Sequence, residues 1–128
     1  MTKWRPGIDA AGYEEAVRDS RTRIREIRPR EAIPMHARSD VLFLDVREPQ
    51  EWNLFHIPGA VHLPLGDVER RARDVVPSEP QRTIVAYCAR GNRSAIGADM
   101  LREMGYTDVV SLADGIRGWV DAGGEVEQ

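Results

Sequence analysis

Residues 83–101 read TIVAYCARGNRSAIGADML, and the reading of that stretch decides the fold. Thr83 to Tyr87 is a short apolar run with the length of a buried strand. Ser94 to about Met104 is a helix-forming run. Between them lies Cys88, the single cysteine of the chain, followed by Ala89, Arg90, Gly91, Asn92 and Arg93. Glycine and asparagine tolerate a tight backbone turn. Arginine guanidinium groups and convergent backbone N–H groups bind an oxyanion and favour a thiolate over a thiol. A lone thiol at the join of a strand and a helix N-terminus is therefore placed for nucleophilic chemistry.

Working outward, short apolar runs alternate with amphipathic ones, the mark of an α/β layered fold. Val41-Leu42-Phe43-Leu44-Asp45-Val46 is the clearest strand, and its near-continuous hydrophobicity fits a parallel strand covered on both faces. Pro49 to Asn53 reads as a short helix, Gly59 to Leu63 as a strand, Gly66 to about Val75 as a charged helix. Val109 to Leu112 is the last strand, and Gly115 to Ala122 a closing helix ended by Gly123-Gly124. Upstream, Tyr13 to about Arg25 reads as a charged helix, with Ile24 to Ile27 as an alternative short edge strand. Pro29 opens a further helix, since proline is accommodated in a first turn. In open α/β sheets ligands bind at the carboxyl ends of the strands. Cys88 and Arg47 both follow strands at that edge, so one pocket could hold both.

Composition narrows the function. The 128 residues fit one domain with a real core. With 18 basic and 21 acidic side chains the formal charge is −3, which gives no sign of nucleic-acid binding. No apolar run approaches the ~20 residues that span a bilayer, and the N-terminus lacks a signal-peptide stretch. One cysteine excludes an internal disulfide, so a reducing cytoplasm is the expected setting. His36, His56 and His62 have no metal-ligand spacing with Cys88, so neither metal nor cofactor is expected.

The segment from Cys88 to Ser94 resembles the active-site loop of the rhodanese-like sulfurtransferases. The resemblance extends to Asp45-Val46-Arg47-Glu48-Pro49 with Glu51-Trp52, to His56-Ile57-Pro58-Gly59-Ala60, and to Asp114-Gly115 with Trp119. It implies a rhodanese-like domain over residues 24–128, preceded by an N-terminal helical extension over residues 1–23. The implied fold is α/β: a five-stranded, mostly parallel sheet flanked by helices on both faces. The implied chemistry is sulfur transfer through a Cys88 persulfide. The donor would be a small anion such as thiosulfate, the acceptor cyanide or a thiol, including a thioredoxin-like or other sulfur-accepting protein.

On this reading Cys88 is the nucleophile, and Ala89, Arg90, Gly91, Asn92, Arg93 and Ser94 bind the donor, with amides from Ala89 to Ser94 curling around the sulfur. Asp45 and Arg47 support the site, more as a buried structural network than as substrate contacts. His56 and His62 are read as packing or hydrogen-bonding residues, not catalysts, and Trp52 and Trp119 as core. The arginines from Arg18 to Arg30 are read as a solvated helix face. Four residues separate Cys88 from Arg93, one fewer than in the related phosphatase loops, and the tighter ring suits sulfur better than a phosphoryl group. The competing functions are a persulfide carrier docked through the N-terminal helix, a non-catalytic interaction module, and a phosphatase or arsenate reductase. Phe55, Asp114 and Glu125 depart from the family pattern, where glycine, glycine and proline are usual.

Overall fold

The computed structural model describes residues 12–128. The part of the N-terminal extension before residue 12 lies outside the described residues. In chain order the elements are α1 (Tyr13–Arg21), β1 (Arg25–Ile27), α2 (Pro29–Met35), β2 (Val41–Asp45), α3 (Pro49–Leu54), β3 (Val61–His62), α4 (Val68–Val75), β4 (Thr83–Tyr87), α5 (Asn92–Glu103), β5 (Val109–Leu112) and α6 (Gly115–Asp121). A 3₁₀ turn, Leu65–Asp67, leads into α4. The five strands form one sheet in the order β1-β5-β4-β2-β3, and every pairing is parallel.

Parallel strands need crossovers, and the helices that supply them cover both faces. Successive side chains of a strand point to opposite faces. Leu42, Leu44, Val46, Ile84 and Cys88 accordingly enter one core with Val17 of α1, Val68 and Ala72 of α4, and Ile96, Met100 and Leu101 of α5. Phe43, Val85 and Tyr87 enter the other core with Ala32 of α2, Ile116 and Trp119 of α6, and Val110 and Leu112 of β5. The apolar runs are nearly continuous because neither face is left to water.

Several boundaries differ from expectation for local reasons. The chain leaves α1 at Arg21, and Arg25–Ile27 pairs with β5, which is the edge-strand alternative. The α5 helix begins at Asn92, earlier than expected, because Gly91 takes a left-handed conformation at φ +100° and starts the helix directly from the loop. The strand expected over 59–63 reduces to Val61–His62, since Gly59 turns at φ +78° and Pro64 has no N–H to offer a ladder.

The arginine-rich entry is more than a solvated face. Arg23 bonds Asp19 of α1 and Asp99 of α5, with Nη2–O distances of 2.8 Å to each. Burial pushes the Asp99 carboxyl up, but Arg23 and Arg102 outweigh it and hold its pKa below the ordinary value. This charged clamp fixes the end of α1 to α5, the helix that starts in the reactive loop.

Candidate active site

The reactive loop leaves β4 at the carboxyl edge of the sheet. Cys88 is 1% exposed, so its sulfur lies at the base of the loop. Two amides aim at Sγ: Gly91 N at 3.1 Å and Ser94 N at 3.4 Å. The expected ring of amides from Ala89 to Ser94 is thus narrower. The left-handed Gly91 turns its own N–H inward, and the first turn of α5 supplies Ser94. Ser94 Oγ sits 3.5 Å from Sγ and 2.8 Å from Ser111 Oγ on β5, so the sulfur touches a buried pair of hydroxyls.

The other loop residues face elsewhere. Arg93 forms a two-pronged ion pair with Glu51 of α3, at 2.7 and 2.9 Å. Glu51 hydrogen bonds hold the Arg93 guanidinium charged, above its ordinary pKa; burial opposes this, and Cys88 adds a smaller push upward. In return Arg93 holds the Glu51 carboxyl below the ordinary carboxylate value. Asn92 is exposed, and its side chain accepts from Arg21 of α1 at 3.0 Å. The same guanidinium reaches the Gly91 carbonyl at 3.4 Å. Arg90 is exposed and lines a groove between α2 and α6. The half-buried Ala89 accepts at its carbonyl from Arg117 N at 3.2 Å, and Cys88 O accepts from Ile116 N at 2.9 Å.

Those two bonds explain the signature around Gly115. The start of α6 is pressed against the loop backbone, and a Cβ on Gly115 would collide with Ala89 and with the Cys88 carbonyl. Gly115 also has φ +59°, a region that strains other residues. Asp114 is itself left-handed at φ +64°, which accounts for glycine being usual at that position in the family. Phe55, by contrast, is extended at φ −173°, open to any residue.

Asp45 and Arg47 form a closed pair. Arg47 donates to Asp45 through Nε and Nη2 at 2.8–3.1 Å and to the Phe55 carbonyl at 2.6 Å. Its guanidinium lies between the Phe55 and Tyr87 rings. Burial works against the Arg47 charge, and the bonds to Asp45 outweigh it and raise the pKa. Both side chains of the pair are almost wholly buried. Trp52 is a correction: it is half-buried and stacks on His56 (centroids 3.6 Å) and His62 (4.8 Å) rather than joining either core. Trp119 is core at 1% exposure, and its Nε1 donates to the Glu125 carbonyl at 2.7 Å.

The sequence reading missed Glu51, Ser111, Arg21 and Tyr13. Burial raises the Tyr13 phenol pKa; the charge on Cys88 adds to that rise, while Arg93 and Arg21 pull it back. Among the described residues, no His/Cys/Asp/Glu group is arranged to hold a metal ion, and no helix is long and apolar enough to cross a membrane.

In parallel α/β domains ligands bind at the carboxyl edge of the sheet, and the cysteine-led loop of this chain stands at that edge. Residues 29–122 match the rhodanese-like domain, and the chain belongs to that family. It is 40% identical over 76 residues to "Putative sulfur carrier protein YrkF" of Bacillus subtilis, covering 59% of this chain and 40% of YrkF. It is 37% identical over 67 residues to the thiosulfate sulfurtransferase PspE of Escherichia coli, covering 52% of this chain and 64% of PspE. The match therefore spans less than two thirds of either relative. Among solved structures, RPA3614 from Rhodopseudomonas palustris, described as a protein of unknown function and possible tyrosine phosphatase, superposes with TM-score 0.81 at 29% identity. That superposition covers 97% of this chain and all of RPA3614.

Proposed function

We propose that the protein is a sulfurtransferase that carries a sulfane sulfur on Cys88 as a persulfide. The observation that carries this reading is the pair of amides, Gly91 and Ser94, directed at a buried sulfur. Free cysteine is often a small buried hydrophobe, and such a thiol needs no donors. Donors aimed at sulfur stabilise an anion there instead, and a persulfide bears its charge in the same cradle. Among the described residues the site has no imidazole bonded to the thiol, and none is needed where the amides stabilise the thiolate.

The steps balance without a redox partner. The Cys88 thiolate attacks the outer sulfur of thiosulfate, the S–S bond of the donor breaks, and sulfite leaves with the electron pair. Cyanide or a thiolate then attacks the outer sulfur of the persulfide, and the electron pair returns to Sγ. Arg93, half-exposed in its pair with Glu51, exchanges that carboxylate for the anionic end of the donor. Arg90 contributes charge at the mouth of the loop. The family membership, together with the names of YrkF and PspE, supports sulfur handling in general. Thiosulfate as donor, and a cytoplasmic setting, are part of this proposal.

The likeness to RPA3614 keeps phosphoryl transfer as the reading to beat. The paired assay sets thiosulfate plus cyanide against an aryl phosphate. The proposal expects thiocyanate from the first and no phenol release from the second. Aryl phosphate cleavage without thiocyanate would overturn it.

A further inference from the structure

Beside the reactive loop runs an open groove of ≈ 560 Å³ between α2 and α6. Its walls include Arg28 and Arg30 of the α2 start, Arg117 of α6, and Arg90 of the loop itself. All four arginines are exposed, and among the described residues none is engaged in an ion pair. This is a local excess of positive charge in a chain whose formal charge is −3. The protein spends most of its other arginines on carboxylates: Arg23 on Asp99, Arg47 on Asp45, Arg93 on Glu51. Guanidinium groups left unpaired around one concave surface mark it for an anionic partner.

Two carboxylates, Asp114 and Asp121, share the lining. They decide which anion fits. A compact phosphate concentrates its charge and would meet those carboxylates at close range. An extended peptide spreads its carboxylates among the arginines and has backbone N–H groups to offer the aspartates. The groove adjoins the reactive loop: Arg90, two residues past Cys88, lines it, and Arg117 N on its wall bonds the Ala89 carbonyl.

We propose that this groove docks an acidic segment of a protein thiol acceptor and so brings that acceptor's cysteine to the Cys88 persulfide. The proposal rests on the persulfide reading for its chemistry and on the groove for its partner. The acceptor thiol releases its proton to solvent, its thiolate attacks the outer sulfur, the bond between that sulfur and Sγ breaks, and the electron pair stays on Sγ.

The test uses a labelled glutamate-rich peptide with one cysteine and its glutamine-substituted twin. Binding to the full chain is read by fluorescence anisotropy, and sulfur transfer to each peptide by mass. The glutamate peptide should bind and accept sulfur roughly tenfold better at low salt, with the preference shrinking as salt rises. The double variant Arg28→Glu/Arg117→Glu should erase that preference while thiocyanate formation stays within about twofold of wild type and the melting temperature holds. A milder pair, Arg28→Gln/Arg117→Gln, should give an intermediate preference. Equal binding of the two peptides, or a preference that survives charge reversal, would overturn the proposal. So would tight binding of inorganic pyrophosphate with no glutamate preference, which assigns the groove to a small phosphate compound. Absence of thiocyanate from wild type strikes the persulfide reading instead, and the anisotropy still reports on the groove.

Discussion

Two arginines stand at the carboxyl edge of the same sheet, each gripped by a carboxylate, and they differ in burial. Arg47 pairs with Asp45 out of water, with side-chain exposures of 4% and 0%. It also bonds a carbonyl and lies near two rings, so its Nε and Nη2 are both committed inside the protein. Arg93 pairs with Glu51 at 26% and 32% exposure, within reach of solvent and close enough to Cys88 to feel its charge. On the proposed function, burial separates a structural ion pair from one that meets the donor. A desolvated pair is costly to break, whereas a half-exposed pair can exchange its partner for a substrate anion at little cost.

The largest expected effect breaks the first pair. Asp45→Ala leaves the Arg47 charge buried without its partner, and urea unfolding should show a loss of about 3–5 kcal/mol. A loss below about 1 kcal/mol would mean Arg47 is freer than its contacts say. Next comes the backbone beneath the loop. Gly115→Ala puts a Cβ against Ala89 in a left-handed residue, and should cost roughly 1–3 kcal/mol together with most of the sulfur-transfer rate.

Arg93→Ala sharpens the contrast from the other side. Its stability change should stay within about 1 kcal/mol, while kcat/KM for thiosulfate falls roughly 10- to 100-fold, about 1.4–2.7 kcal/mol. Equal kinetics in variant and wild type would remove Arg93 from donor binding. Glu51 gives the smallest effect, and it depends on pH. Its pKa is depressed in the fold by Arg93, so its contribution is present above the ordinary carboxylate pKa and is lost as pH falls through the depressed value. Wild type should therefore lose more stability than Glu51→Gln in urea titrations carried from neutral pH down through the acid range. Identical pH profiles would show that the pair is too solvated to matter.

Much of this was legible in the chain. The near-continuous apolar runs at 41–46 and 83–87 announce parallel strands because both faces are covered, and the residue types from Cys88 to Arg93 carry the proposed chemistry. What the sequence hides are the partners. Glu51 meets Arg93 across 42 positions, Ser94 meets Ser111 across 17, and Arg21 meets Asn92 across 71. No local period encodes such meetings; the crossovers between parallel strands make them. Gly115 was visible as part of a motif, but its reason, a helix start pressed on the loop carbonyls, exists only in three dimensions. Trp52 misled because a tryptophan reads as core by residue type alone, and two histidines supply its packing instead.

The central claim is that Cys88, and no other residue, carries sulfur. Incubating the protein with thiosulfate, removing excess donor and measuring the mass of its peptides tests this most directly. Sulfur transfer through Cys88 should leave one added sulfur atom on the peptide containing that residue, removed by cyanide as thiocyanate and absent in Cys88→Ala. An unmodified Cys88 under these conditions, or an adduct that persists in Cys88→Ala, would contradict it.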